Sequence, residues 1–416
     1  MNAQTRRGFL VGAGGAAAGL VAAGTSANAD PQYWIDLPMA NGRRPLERFP
    51  QKGLMIVQAT RPPILETPFV VFDRDELTPN EYHYVRWHLA GIPTTVDVNA
   101  FRLKVGGLVN KPLTLTVDQL RRDFSPVELV AVSQCAGNSR GLFNPRVAGG
   151  EWANGGMSNA RWRGVALKEI LARAGLGAGA KQVAFSGLDR GVLPATPQFR
   201  KALDADFATG GNAMIAYEMN GRPLPLLNGF PLRLVVPGWY GTYWVKMLDT
   251  IDVLDHVEDN FWMATAYRIP DTPGNTVTPD QTGYKTIPIS KFRVRSFITN
   301  VDGGRVLGPE NAADPRYPLR FRAEIRGIAF DAGSGIKKVE FSEDGGKTWR
   351  ETTLGRDLGP YSFRKWHTVW DARVGNGSYT LACKATANSG DTQTDVPVWN
   401  PAGYLKNDIE KYKVNV

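Results

Sequence analysis

The sequence predicts an α+β protein in two parts: a mixed α/β unit followed by an immunoglobulin-like β-sandwich. At 416 residues the chain is too long for one hydrophobic core. Its 45 glycines, 28 prolines and 11 tryptophans favour sheets and loops over long helices. The local pattern also changes along the chain. Helical and strand signals mix up to a stretch rich in Pro, Thr, Gly and Asp at residues 268–295, and beyond it only short alternating strands and turns follow. The expected divisions are a leader over 1–29, a first domain over 30–290 and the sandwich over 291–416.

The leader is read from Thr5-Arg6-Arg7-Gly8-Phe9-Leu10, a twin-arginine motif, a Gly/Ala-rich run, and the small-residue cleavage site Ala27-Asn28-Ala29. The run over 11–23 is too short and too glycine-rich to span a bilayer, so no stable membrane association is expected. Twin-arginine export carries folded proteins, which suits a chain loaded with a complex cofactor before it reaches the periplasm. Residues 30–80, rich in proline, read as irregular surface chain. Residues 101–105 alternate as a strand, and Thr116 with Gln119 offers a capping box for a helix ending near Phe124. The apolar run 127–132 reads as a buried strand that delivers Ser133-Gln134-Cys135 to its end. A helix is expected over 165–174, stopped by Gly175, and buried strands over 213–219 and 231–237. In the second part, strands are expected over 319–325, 339–342, 363–370 and 378–385, with a turn at Asp344-Gly345-Gly346-Lys347.

The formal net charge is +9, and cleavage of the leader removes two arginines and no acid. The basic residues are dispersed, without a clustered run or a helix-turn-helix, so nucleic acid is not an expected partner and a small anion suits the charge better. No Walker loop, Gly-x-Ser-x-Gly elbow, Gly-x-Gly-x-x-Gly fingerprint or multi-Cys/His metal spacing is present among the four histidines and two cysteines. Cys383 sits in an alternating strand and reads as a small buried hydrophobe. Cys135 stands at a strand terminus ahead of Gly137, Asn138, Ser139 and Arg140, where the backbone turns and a cation lies close to the thiol.

That stretch, Gln134-Cys135-Ala136-Gly137-Asn138-Ser139-Arg140, resembles the Cys-x-Gly-Asn-x-Arg setting of the molybdenum-binding cysteine in the sulfite oxidase family of molybdopterin enzymes. The resemblance continues in family order. Arg86-Trp87-His88-Leu89-Ala90-Gly91-Ile92-Pro93 precedes it; Ala216-Tyr217-Glu218-Met219-Asn220-Gly221, Gly229-Phe230-Pro231-Leu232-Arg233 and Val245-Lys246 follow. Gly335-Ile336-Lys337-Lys338-Val339-Glu340 and Asp344-Gly345-Gly346-Lys347-Thr348-Trp349 resemble the family's dimerisation domain. The resemblance implies a sulfite-oxidase-type molybdopterin domain followed by a dimerisation sandwich, a homodimer, and molybdenum held by one pterin dithiolene with Cys135 as the protein ligand. A soft thiolate suits that metal. By the same resemblance Arg86 and Arg140 line an anion pocket for sulfite, His88 lies near the metal, and Tyr267 stands near the substrate oxygen. Arg233 and Lys246 contact the pterin phosphate. Asn228 stands where vertebrate members have a histidine pterin contact, and Arg364 is the nearest motif-based candidate for their third pocket arginine.

The activity implied is oxidation of sulfite to sulfate by oxygen-atom transfer. The chain has no Cys-x-x-Cys-His and no haem or flavin segment, so electrons are expected to pass to an external c-type cytochrome, and the closest likeness is to periplasmic sulfite dehydrogenases. A sulfane dehydrogenase subunit of a sulfur-oxidising complex is the alternative within the fold. An exported binding protein without catalysis is the alternative of another class, separated by metal content.

Overall fold

The structure, a computed structural model, describes residues 33–37, 41–307, 320–373 and 378–416. The twin-arginine leader expected over 1–29 lies outside the described residues.

The strand Pro126–Gln134 runs antiparallel to Met157–Ala166 through nine consecutive pairs, from Pro126 with Val165 to Gln134 with Met157. Met214–Met219 adds to the far side of Met157–Ala166 and carries Arg233–Val235 on its own edge. The capping box forms as expected: Gln119 N donates to Thr116 Oγ1 at 3.0 Å, and Thr116 N donates to Gln119 Oε1 at 2.8 Å. They open the helix Val117–Asp123. The second helix is Leu167–Ala174 rather than 165–174, because Val165 is still paired on both sides, to Pro126 and to Ile215. Gly175 ends it in the left-handed region (φ 65°), its N–H donating to Leu171 O. A second sheet orders Arg200–Asp204, Gln182–Gly187, Leu248–Leu254, Leu103–Gly107 and Leu113–Leu115, with a parallel pair where Leu248–Leu254 meets Leu103–Gly107.

Residues 30–80 depart from the expected irregular wrap. Tyr33–Asp36, Arg43–Arg48, Leu54–Thr60, Pro63–Glu66 and Val85–Arg86 form a five-stranded antiparallel meander. Its first strand is largely exposed and its second is half-buried along its length, so neither carries a hydrophobic alternation to read. Pro45 pairs with Trp34 but lies beyond the register shared with the next strand, where its missing N–H costs no ladder bond. The stretch 268–295 holds a small pair of strands, Arg268–Pro270 with Thr286–Pro288.

The second part is a sandwich of two four-stranded sheets. One orders Arg295–Ile298, Arg320–Phe330, Arg364–Arg373 and Thr353–Leu354; the other orders Arg350–Glu351, Ile336–Ser342, Ser378–Ala387 and Lys411–Asn415. Ile325, Phe341, Trp366, Trp370, Leu381 and Cys383 fill its core. Burial pushes the Cys383 thiol up to about 12, as suits a structural cysteine. Phe330, Phe363 and Tyr404 cross over and pack in the core of the first part, so the two halves share apolar surface.

They also share charge. Arg326 of the sandwich grips Asp73 at 2.6 and 3.0 Å, and Thr299 Oγ1 donates to the same carboxylate at 3.0 Å. Burial alone would raise the Asp73 pKa, but the hydrogen bonds and charge of Arg326 outweigh it and hold the carboxyl below its usual value. A depressed carboxyl stabilises the fold above its unfolded pKa, and that contribution is lost as pH falls through the folded value. Asp73→Asn should therefore lower the melting temperature at pH 7 by about 2 °C, a shift of the size expected for about 1 kcal/mol in a protein this large. The gap from the unmutated protein should close as the pH is taken below 4. A gap that stays constant down to pH 3 would contradict this ion pair.

Candidate active site

About the short strand Val85–Arg86, alternate side chains face opposite ways. Val85 and Trp87, both 1% exposed, enter the apolar cluster beneath the meander. Tyr84, Arg86 and His88 face the other way, and all three line one cavity with Cys135. The Phe261–Ala264 helix and the turn after it bring Tyr267 to the same wall, with Tyr267 itself in the left-handed region at φ 60°. His88 Nε2 and Tyr267 Oη lie 2.5 Å apart, and the imidazole stacks on Phe199 at 3.7 Å.

Cys135 follows the last residue of its strand, its N–H donating to Gly156 O at 2.8 Å. The chain then turns sharply: Asn138 N donates to Cys135 O and Arg140 N to Gly137 O. Asn138 Oδ1 accepts from Gly156 N at 2.8 Å, clasping the turn to the neighbouring strand. Ser139 adopts φ 68°, uncommon for a residue with a side chain, and its buried hydroxyl is held from two sides. It donates to Asn154 Oδ1 at 2.5 Å and accepts from Arg295 at 2.9 Å. Arg295 in turn pairs with Glu410 at 2.8 Å, and the second oxygen of Glu410 accepts from Asn154 at 2.7 Å and from the Tyr412 hydroxyl at 2.9 Å. Arg295 and Glu410 are both sandwich residues with side chains 1% and 3% exposed. The cysteine turn is thus fixed by a buried ion pair from the other half of the molecule.

Three cations, Arg86, Arg233 and Lys246, line the cavity, and no carboxylate lines it among the described residues. Arg233 and Lys246 face each other across a short bridge. Burial drives the Arg233 pKa down to about 10, and burial with the Arg233 charge drives Lys246 to about 7. His88 is held well below its ordinary value, first by burial and then by Arg86, Lys246 and Lys201, so its ring is neutral at pH 7. Burial raises the Tyr267 phenol above its ordinary value, which keeps the hydroxyl protonated. A neutral imidazole and a phenol therefore share one hydrogen bond at the cavity wall.

Of the residues expected from sequence, Arg86, His88, Cys135, Arg233, Lys246 and Tyr267 meet in this cavity. Arg140 lies one layer behind: its guanidinium donates to Ala402 O at 3.1 Å and sits over the Tyr404 ring, which stacks on Tyr267. Asn228 is buried away from the wall. Its carbonyl accepts from Lys52, and its amide reaches Tyr84 O at 3.0 Å and His83 Nδ1 at 3.2 Å. Arg364 is in the sandwich, donating to Gly355 O and Ile336 O and facing Asp357, and is not among the lining residues. Sequence reading missed Tyr84, Thr242 and Lys201. Tyr84 was legible from the two-residue alternation with Arg86 and His88. Lys201, 1% exposed, donates to Trp262 O at 2.7 Å beneath the Tyr243 and Tyr267 rings, and carries no sequence signal.

The fold and this cavity define a molybdopterin-binding oxidoreductase, and comparisons with known proteins agree. Residues 89–262 match the oxidoreductase molybdopterin binding domain, and residues 286–416 match the Mo-co oxidoreductase dimerisation domain. Sulfite oxidase of Gallus gallus is 32% identical over 368 residues, covering 84% of this chain and 75% of the relative. Mitochondrial sulfite oxidase of Mus musculus is 31% identical over 378 residues, covering 86% of this chain; the chain spans 65% of that relative's length. The crystal structure of the sulfane dehydrogenase SoxCD from Paracoccus pantotrophus shares the fold, with a TM-score of 0.70, 24% identity and 85% of each chain covered. The chain belongs to the sulfite oxidase family.

The residues present fit the family's molybdenum cofactor. A free cysteine lines the cavity beside cations suited to a phosphate. Arg233 Nε and Thr242 Oγ1 are buried at its wall without a hydrogen-bond partner among the described residues, so polar atoms remain for a ligand to satisfy.

Removing one member of a buried ion pair strands the other, at about 3–5 kcal/mol, whereas replacing both by apolar groups is close to neutral. Glu410→Leu should therefore destabilise strongly in denaturant titration, and adding Arg295→Met should recover about 1–2 kcal/mol of that loss. A double variant no more stable than the single one would show that Arg295 and Glu410 are not coupled.

Proposed function

We propose that this protein is an exported, periplasmic sulfite dehydrogenase: it oxidises sulfite to sulfate and passes the electrons to a separate c-type cytochrome. The observation that carries this reading is the cavity that joins the Cys135 thiol to two arginines and a lysine, with no carboxylate among its described lining residues. Such a wall selects a small anion and repels none of its charge.

When bound, molybdenum supplies the two-electron redox and oxygen-atom chemistry, with Cys135 as its protein ligand. The overall change is sulfite plus water giving sulfate, two protons and two electrons. Arg233 and Lys246 hold the pterin phosphate. Arg86 orients the sulfite oxygens through its planar guanidinium, which is itself 5.9 Å above the Tyr267 ring centre. The His88–Tyr267 hydrogen bond presents one fixed polar edge to the substrate. Arg140 adds positive charge from behind Tyr404 without reaching the cavity wall.

Export is supported by Thr5-Arg6-Arg7-Gly8-Phe9-Leu10 and the Ala27-Asn28-Ala29 site. No helix among the described residues is long and apolar enough to cross a membrane. A homodimer is supported by the match of residues 286–416 to a dimerisation domain.

The reading is tested on the purified protein by metal analysis and sulfite-dependent reduction of cytochrome c. We expect about one molybdenum per chain and turnover with sulfite. Loss of one charge-assisted contact is worth about 1.5–3 kcal/mol. Arg86→Gln should thus raise the KM for sulfite about tenfold or more, while Arg350→Gln, on the exposed sandwich surface, leaves it within about twofold. Full metal occupancy with no response to sulfite, but turnover of a sulfane substrate, would move the activity to a sulfane dehydrogenase. Absence of metal in matured protein would leave a binding protein.

A further inference from the structure

The sandwich contributes a residue to the first part's site that no sequence motif marks. Residues 399–404 form a turn that is built rather than incidental. Asn400, fully buried, donates from Nδ2 to Tyr404 O at 2.9 Å and accepts from Tyr404 N at 3.1 Å, while Gly403 N donates to Asn400 O at 2.9 Å. Gly403 adopts φ 64°, and a Cβ placed there would come within 2.7 Å of Arg140 Cγ. The turn therefore lies directly against Arg140, and Ala402 O accepts from Arg140 Nε at 3.1 Å. What it presents is Tyr404, 9% exposed.

One face of the Tyr404 ring lies under the Arg140 guanidinium, 5.2 Å from the ring centre. The ring also stacks on Tyr267, with centres 5.7 Å apart and planes within 3° of parallel. Arg86 in turn lies 5.9 Å from the Tyr267 ring centre. Arg140, Tyr404, Tyr267 and Arg86 thus form a chain of cations and rings from the interior of the cysteine turn to the cavity wall. Tyr267 holds a left-handed backbone, a conformation that persists where the surrounding structure supports it. That support comes from His88 on its hydroxyl and from Tyr404 on its ring. Gly137 and Gly149 leave room for the guanidinium of Arg140: a Cβ at either would come within 2.6 or 2.7 Å of it.

We propose that Tyr404 is a positioning residue for the anion pocket: it sets Arg140 and Tyr267, and through Tyr267 the direction of Arg86, so the dimerisation domain helps decide how tightly an oxyanion is held. This rests on the proposal that the cavity receives sulfite. Tyr404 does not line the cavity and makes no contact with substrate in this scheme. Its effect is on geometry and charge placement, through a flat ring that an aliphatic side chain cannot replace.

The test compares Tyr404→Phe, which keeps the ring, with Tyr404→Leu, which does not, in the full-length metal-loaded protein. Two readouts are taken: steady-state sulfite kinetics, and the dissociation constant of sulfate by isothermal titration calorimetry. Tyr404→Leu should raise the KM for sulfite and the dissociation constant for sulfate about tenfold, with kcat within about threefold, and Tyr404→Phe should restore both to within about threefold of the unmutated protein. If Tyr404→Leu does not accumulate, Tyr404→Met, flexible and without a π face, takes its place. Equal constants in the ring-keeping and ring-lacking variants would overturn the proposal, as would a fall in melting temperature and kcat with KM unchanged. Failure of the unmutated protein to oxidise sulfite, with sulfate binding still split between the two variants, would remove the sulfite reading and leave the role of Tyr404 standing.

Discussion

A buried ion pair, Arg295 with Glu410, holds the cysteine turn where the cavity needs it. Placing two charges where side chains are 1% and 3% exposed costs desolvation that apolar packing would avoid. What the pair provides is direction. Arg295 donates to Ser139, Glu410 accepts from Asn154, and Ser139 and Asn154 bond to each other, so four side chains close a ring of hydrogen bonds under the turn. Ser139 lies between Cys135 and Arg140 in a strained conformation, and the ring of bonds holds it there. The cysteine turn therefore depends on the sandwich as well as on its own strand.

The electrostatics of the cavity follow from the same economy of partners. Burial pushes both Arg233 and Lys246 down, and for Lys246 the neighbouring charges of Arg233 and Arg86 add to it. The charge of Asp189 offsets part of this for Lys246, and burial pushes its own carboxyl up to about 6. Burial first, and then the charges of Arg86, Lys246 and Lys201, keep His88 neutral. The anionic cofactor relieves this repulsion, so the site is least strained when it is held.

Much of this was legible in the sequence, and for identifiable reasons. The strand that delivers Cys135 is a run of apolar and β-branched residues, and the Thr116–Gln119 capping box is a local motif whose bonds form within one turn. The sandwich showed itself through short alternating strands. The residues of the cysteine turn carried the family resemblance, and the comparisons bear that family out. What was not legible depends on distant partners. The meander over Tyr33–Arg86 begins with an exposed strand and a half-buried one, so its first pairing leaves no hydrophobic period. The family resemblance makes Arg140 a pocket residue, but the turn at Ala402–Tyr404, more than 260 residues away, covers it. Asn228 and Lys52 satisfy each other across 176 positions, a pairing invisible to local reading.

The central claim is that Cys135 binds molybdenum in the cavity it shares with Arg86, His88, Arg233, Lys246 and Tyr267. Molybdenum X-ray absorption on the purified protein and on Cys135→Ser tests it most directly. The expected result is sulfur scattering from the dithiolene plus one further thiolate, with that one sulfur lost in the variant. Identical sulfur coordination in the two proteins, at equal metal content, would contradict Cys135 as the ligand.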